Sequence, residues 1–452
     1  MSELQEQLEA LRQRVARALE ERSLPGFARE NSGKFEKPPE SAKRRSSLSA
    51  AERIFDPLAQ RLQSAQVHVE EWLPGEEVET AYGKHYETET LYARHKRHGS
   101  ADIGSLAELP PGLLKSLSNG AIDHVPPQEW AFLDTETTGL AGGTGTCAFL
   151  VGVGRITPEG FRVRQFFMRD YGEEASLLDS LSRHLEPFRV LITYNGRTFD
   201  QPLLETRFRM NRSKPPFSRF EHLDLLYGAR RLWKLRFDSC RLIDLESQIL
   251  GFERQGDVPG ALIPYIYFEY VRTGEMARLL PVFHHNAIDI LTLACLTGIV
   301  PYAFLDPVNA PLKHGTELAA LGRWLREAGE MEQARTLFRR ALDLNLRDEI
   351  LFRTLWDLAA VERKLECGNA ALAIWNDLAG SKNPYQVRAC EELAKHFEHD
   401  AKDYARALEF TLQAIGMDDT DDLRKREARL RKRAAKPAAK PAAKKRIRSA
   451  PA

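Results

Sequence analysis

Trp130 to Leu140 reads W-A-F-L-D-T-E-T-T-G-L. Three apolar residues, Ala131, Phe132 and Leu133, run into two acids one residue apart, Asp134 and Glu136. Alternation along a strand puts residues i and i+2 on one face, so both carboxylates project together from a strand placed here. Ionised carboxylates that close repel unless a cation lies between them, and hard divalent cations such as Mg²⁺ favour oxygen ligands. The alternative is a strand running into a polar turn with its acids solvated, and the neighbouring sequence has to choose.

Outward from this stretch, the chain alternates strand-like and helix-like segments as far as about Tyr302, an α/β signature. A-G-G-T-G-T lacks the G-x-x-x-x-G-K-[ST] pattern of a phosphate loop and fits a tight connection between antiparallel strands. C-A-F-L-V-G-V-G and F-R-V-R-Q-F-F-M-R read as the next two strands, Glu173–Leu185 as a helix, and R-V-L-I-T-Y-N-G as a buried strand ending in a turn. Asp200 sits where that turn becomes a helix, a position at which an acid can also serve merely to complement the helix dipole. L-P-V-F-H-H-N-A-I-D-I-L-T-L-A-C-L is a later helix whose Asp289 stands among apolar residues and is costly to bury without a partner or metal. His285 precedes it by one helical turn on the same face; His284, one residue earlier, turns off that face.

Asp134, Glu136, Asp200 and Asp289 thus follow an order in which D-x-E closes the first strand, N-G-x-x-F-D follows a later one, and a histidine precedes the last acid. This resembles the DEDD exonuclease group of the ribonuclease H-like superfamily, and more narrowly the YprB-type ribonuclease H-like domain. F-L-D-T-E-T-T-G-L, T-Y-N-G-R-T-F-D-Q-P, R-Q-G-D-V-P-G and H-N-A-I-D-I-L carry the likeness together, over roughly residues 125–302. The resemblance implies a mixed central sheet flanked by helices and two Mg²⁺ or Mn²⁺ ions held by the four acids. It further implies 3′–5′ exonucleolytic hydrolysis of single-stranded DNA or RNA, with a histidine as general base. Relatives place that base four or five residues before the last acid, so both His285 and His284 qualify; the shared face and the H-N-x-x-D pattern favour His285. By the same analogy Gly139 and Leu140 lie beside the terminal nucleotide, and Asn195 with Gly196 shapes the turn that presents Asp200. Arg254 is a candidate bidentate phosphate donor, or else half of a structural Arg–Asp pair. Asp224 is expected to cap or orient local structure.

Beyond Ala310 the pattern is purely helical. Leu318, Leu321, Gly322, Leu325, Ala334, Phe338 and Ala341 resemble a tetratricopeptide repeat, and the small-large pattern recurs from Ala371 and Ala407, at spacings of 37 and 36 residues. Such an all-α repeat either binds a protein segment or braces the first domain. From Arg424 onward thirteen Lys and Arg face one acid, which with a whole-chain net charge of +1 leaves −11 for the rest. This Ala/Lys/Pro-rich tail is expected to be disordered and to tether nucleic acid.

The expected organisation is an amphipathic helix at 1–24, a polar linker at 25–49 and an extension of mixed structure at 50–127. The nuclease-like domain follows at 128–304, repeats at 312–420 and the basic tail at 423–452. Tyr92–His98 reads as a basic, histidine-rich surface patch. Five scattered cysteines without C-x-x-C spacing fit a reducing compartment rather than a disulfide or zinc framework. A charged N-terminus and the lack of a long apolar run point to a cytoplasmic protein without a membrane span. The competing function is a tetratricopeptide-type interaction scaffold whose nuclease-like domain has little activity.

Overall fold

The computed structural model describes residues 69–139 and 145–435, so the helix and linker expected before residue 50 lie outside the described residues. The chain forms two compact units, residues 69–230 with 239–305, and residues 231–238 with 306–435.

The first unit is built on a seven-stranded sheet in the order β1-β2-β7-β6-β5-β8-β9. Its strands are β1 (Gly75–Thr80), β2 (Gly83–Ala93), β5 (Trp130–Thr137), β6 (Ala148–Thr157), β7 (Gly160–Phe167), β8 (Val190–Thr193) and β9 (Glu221–Asp224). A separate short hairpin joins β3 (Arg97–His98) to β4 (Ala101–Asp102). Strands β1, β2, β7, β6 and β5 pair antiparallel, whereas β8 and β9 run parallel to β5. The sheet is therefore mixed, as expected for the ribonuclease H-like class. Two of its strands, β1 and β2, come from the segment ahead of residue 128. Their alternation is mostly charged (G-E-E-V-E-T, K-H-Y-E-T-E-T), which reads as surface although β2 lies inside the sheet and Tyr86 is fully buried.

Strand β5 lies inside the sheet, between β6 and β8, because W-A-F-L can be buried on both faces; Trp130, Ala131, Phe132 and Leu133 all lie in the core. Helices follow in chain order: α1 (Glu174–Leu185), α2 (Asp200–Met210), α3 (Leu225–Trp233), α4 (Leu242–Leu245), α5 (Ile263–Thr273), α6 (Leu280–Thr297) and α7 (Val300–Leu305). Leu280–Leu305 is apolar and long enough by composition to cross a membrane, but 72% of its apolar window is buried in the fold, as in a core helix. Helix α6 can lie close over β6 because Gly152 and Gly154 have no side chains. A Cβ on Gly152 would stand 2.2 Å from Ile290 Cδ1 and 2.3 Å from Asn286 Oδ1, and one on Gly154 2.5 Å from Ile290 Cγ2.

The second unit continues with seven helices, α8 (Gly315–Ala328), α9 (Met331–Leu342), α10 (Asp348–Lys364), α11 (Gly368–Gly380), α12 (Gln386–His399), α13 (Tyr404–Met417) and α14 (Asp421–Ala434). Each packs on the next. Ala334, Ala371 and Ala407 are fully buried on α9, α11 and α13, and Gly322 admits the Phe338 ring, whose Cε1 would lie 2.7 Å from an added Cβ. The disordered tail expected from 423 is corrected over its first turns. Leu423, Glu427 and Leu430 form a buried stripe on α14, and Leu423 joins the cluster of Ala371, Trp375, Leu393 and Ala414. The bases of this helix are drawn inward too. Fully buried Glu398 accepts from Arg429 at 2.8 and 2.9 Å and from Arg433 at 3.1 Å, while Arg424 pairs with Asp419 and Arg431 with Glu427.

Candidate active site

The carboxylate end of β5, the start of α2 and the middle of α6 bring the four acids into one electrostatic neighbourhood. Asp134 pairs in register with Gly152 of β6, and the bare backbone there lets α6 come down beside it. Asn286, fully buried on α6, donates Nδ2–H to Asp134 Oδ2 at 2.9 Å. Gln165 of β7 fixes that amide by donating to Asn286 Oδ1 at 2.9 Å and to the Phe283 carbonyl at 2.9 Å.

Asp200 opens α2 through a turn made from N-G-R. Asn195 has φ of +68°, in the left-handed region, and a Cβ on Gly196 would stand 2.5 Å from Thr193. Asp224 ties the turn down by accepting from the Asn195 N–H at 2.7 Å and the Arg197 N–H at 3.2 Å, the orienting role expected of it. Thr135, between the two acids of β5, donates Oγ1–H to Asp200 Oδ1 at 2.5 Å.

Burial raises the pKa of Asp134 well above the carboxylate range, and the charges of Asp289 and Asp200 add to it, against the Asn286 hydrogen bond. Glu136 is raised likewise by burial, then by Asp134, Asp289, Asp200 and Asp257. Asp200 is pushed up to about 6 by burial, which outweighs the opposing Thr135 hydrogen bond. The four acids therefore sense one another through a poorly solvated space. Among the described residues, no three carboxylate, histidine or cysteine side chains converge tightly enough to ligate an ion in the conformation seen. The chemistry of the donor set nevertheless fits a hard divalent ion: carboxylate oxygens whose mutual charge is incompletely offset.

His285 is 13% exposed, with Nδ1 2.7 Å from Asp257 Oδ1 and Nε2 3.6 Å from Asp289 Oδ2. Burial alone would lower its pKa, but the Asp257 hydrogen bond and the charges of Asp289 and Asp257 hold it above the ordinary value. His284 is exposed on the same helix. Arg254 is held in an Arg–Asp pair, the alternative to phosphate binding. Its side chain is 5% exposed and engaged by Glu246 at 2.8 and 2.7 Å and by Asp289, so a phosphate cannot reach it in this conformation. Gly139 accepts a hydrogen bond from Thr137 at 2.8 Å through its carbonyl, and Leu140 lies outside the described residues. The patch at Tyr92–His98 is likewise only partly surface. His98 is buried against Phe252 and sits 2.8 Å from Thr292 Oγ1.

Sequence reading passed over Thr135, Gln165, Glu246, Asp257 and Asn286. One carried a signal: Asn286 stands one helical turn before Asp289, inside H-N-x-x-D. Thr135, Gln165 and Glu246 carried none, because Asp200, Asn286 and Thr292 come from distant segments, whereas Asp257 lies in the R-Q-G-D-V-P-G loop.

Fold and site together define a domain of the RNase_H superfamily, whose family match runs over residues 131–300. The chain is also 33% identical over 358 residues to "Uncharacterized protein YprB" of Bacillus subtilis (strain 168), an alignment covering 76% of this chain and 85% of that protein. It belongs to the YprB family.

Proposed function

We propose that this chain is a metal-dependent nuclease of the DEDD type, removing nucleotides from the 3′ ends of single-stranded DNA or RNA. One observation carries the reading: Asp134, Glu136 and Asp200 are raised by burial, and the charges of Asp289 and Asp200 add to the rise at Asp134 and Glu136, so acids from three elements share one poorly solvated space. That arrangement costs stability unless a cation offsets it. Superfamily membership supports nucleic acid as the polymer, and the all-oxygen donor set supports Mg²⁺ or Mn²⁺.

When bound, a pair of such ions supplies hydroxide and neutralises charge on the phosphodiester. Asp134, Glu136, Asp200 and Asp289 would hold the pair. Asn286 orients Asp134 and Thr135 orients Asp200. His285 is the base: Asp257 takes its Nδ1 and leaves Nε2 on the side of Asp289, the base-and-orienter arrangement of activated nucleophiles. As the water oxygen bonds to phosphorus and the P–O3′ bond breaks, the water proton passes to Nε2, solvent protonates the departing O3′, and a nucleoside 5′-monophosphate is released. Asn195 and Gly139 border the terminal nucleotide. The successive helices of the second unit, with their buried alanines, support a tetratricopeptide-like stack that receives a protein segment.

The test is degradation of 5′- and 3′-labelled single strands with Mn²⁺. Wild type should shorten the 5′-labelled strand progressively, and Asp134→Asn should lose at least about 10²-fold in kcat. Equal activity in both, or none in either, overturns the reading. His285→Ala should lose about 10²–10⁴-fold and His284→Ala much less; the reverse order assigns the base to His284.

A further inference from the structure

Of the four acids, Asp289 is the one in an ion pair with an arginine among the described residues. Arg254 reaches it from the loop before α5, and its guanidinium is forked. Nε and Nη2 donate to Glu246 Oε1 and Oε2 at 2.8 and 2.7 Å, and the same Nη2 donates on to Asp289 Oδ1. Nη1 lies 3.4 Å from Asp257 Oδ2.

Glu246 is itself pinned. It is 1% exposed, starts a single π-helical turn (Glu246–Leu250), and accepts the hydroxyl of Thr292. Such turns recur at functional sites. Thr292 stands one turn beyond Asp289 on α6, and its hydroxyl also meets His98 at 2.8 Å. Burial pushes His98 down to about 4, so it adds no competing charge. The chain of contacts from Arg254 through Glu246 and Thr292 returns along α6 to Asp289. The guanidinium cannot swing away without abandoning a buried, unpaired Glu246, a heavy cost.

Asp289 Oδ1 is thereby occupied by the protein, and Oδ2 is left 3.6 Å from His285 Nε2. We propose that Arg254 is a positioning residue of the acidic site: by gripping Oδ1 it fixes the plane of the Asp289 carboxylate and presents Oδ2 alone to a divalent ion. This rests on the metal-dependent reading above. Simple electrostatics makes the opposite forecast, since a guanidinium beside a cation site repels the cation and its removal would tighten binding. Orienting partners of metal ligands instead lose affinity when removed, typically 10–100-fold. The sign of the change decides.

Mn²⁺ binding to the full chain is measured by titration calorimetry, without nucleic acid, for wild type, Arg254→Gln and Arg254→Lys. Arg254→Gln should weaken the Mn²⁺ Kd by about 10–100-fold. Arg254→Lys keeps the charge but not the fork, because one ammonium cannot span two carboxylates as a planar guanidinium does; it should weaken Kd by at least about 10-fold. Unchanged or tighter binding in Arg254→Gln overturns the assignment, as does wild-type affinity in Arg254→Lys. Should circular dichroism show that the Gln variant does not fold, the Lys variant decides. A wild type that takes up no Mn²⁺ overturns the metal reading and this assignment with it. Binding in wild type with unaltered variants overturns the assignment alone.

Discussion

At the scale of single residues, the acids of β5, α2 and α6 trade stability for a site. Asp200 is 8% exposed, and burial lifts its pKa from 3.8 to about 6. A carboxyl that binds its proton more tightly folded than unfolded costs stability as pH rises from the unfolded value through the folded one. Without metal, the Asp200 penalty therefore grows between about pH 4 and 6 and is fully present at pH 7. Buried His98, His184 and His222, each pushed down to about 4 by burial, run the opposite way, gaining stability as pH rises through the same interval. The difference between variant and wild type cancels them. In EDTA, Asp200→Asn should gain stability relative to wild type as pH climbs from 4.5 to 7, by on the order of 2 kcal/mol. Thermal unfolding checks it, and a pH-independent difference would refute it. The type and order of the acids were legible in the sequence because D-x-E, N-G-x-x-F-D and H-N-x-x-D are local patterns. The pairing of Arg254 with Glu246 rather than with a phosphate was not, since an arginine's partner is chosen by tertiary packing.

At the scale of elements, the site depends on how closely α6 approaches β6. Strand β5 could be read from W-A-F-L, and α6 from its apolar periodicity, but their contact hinges on two glycines in a strand run that reads simply as apolar. Gly152→Ala would force a methyl to within 2.3 Å of Asn286 Oδ1 and 2.2 Å of Ile290 Cδ1. Overpacking of this kind costs about 1–3 kcal/mol, and here it also pushes Asn286 off Asp134. Nuclease activity should therefore fall further than the lost stability explains, at temperatures well below the variant's Tm. A variant that melts earlier yet keeps full kcat would show that the Asn286–Asp134 hydrogen bond is dispensable. The segment of β1 and β2 reads as strands and turns, but its place in this sheet is not legible, for the converse reason. Their polar residues find partners within the sheet layer, Glu87 with His85 and Arg164 for instance, and hydropathy registers the charge but not the partner.

At the scale of the whole molecule, the basic tail divides into two parts that composition alone merges. Its first bases belong to α14 and are largely neutralised on the protein, by Glu398, Asp419, Asp422 and Glu427. An arginine paired to a protein carboxylate releases no counterion when a phosphate approaches, so these contribute little to polyanion binding. Six Lys and Arg and no acid follow Ala435, and any electrostatic tether must come from them. The log–log slope of affinity against salt for a single strand is about −0.7 per phosphate neutralised, so removing residues 436–452 should flatten the slope by up to about 4. Reversing Lys432 on α14, which has no acid among its hydrogen bonds and ion pairs here, should change it by less than about 1. Fluorescence anisotropy of a labelled oligonucleotide over a salt series measures both. An unchanged slope after truncation would place the polyanion contacts elsewhere on the chain and refute the tether.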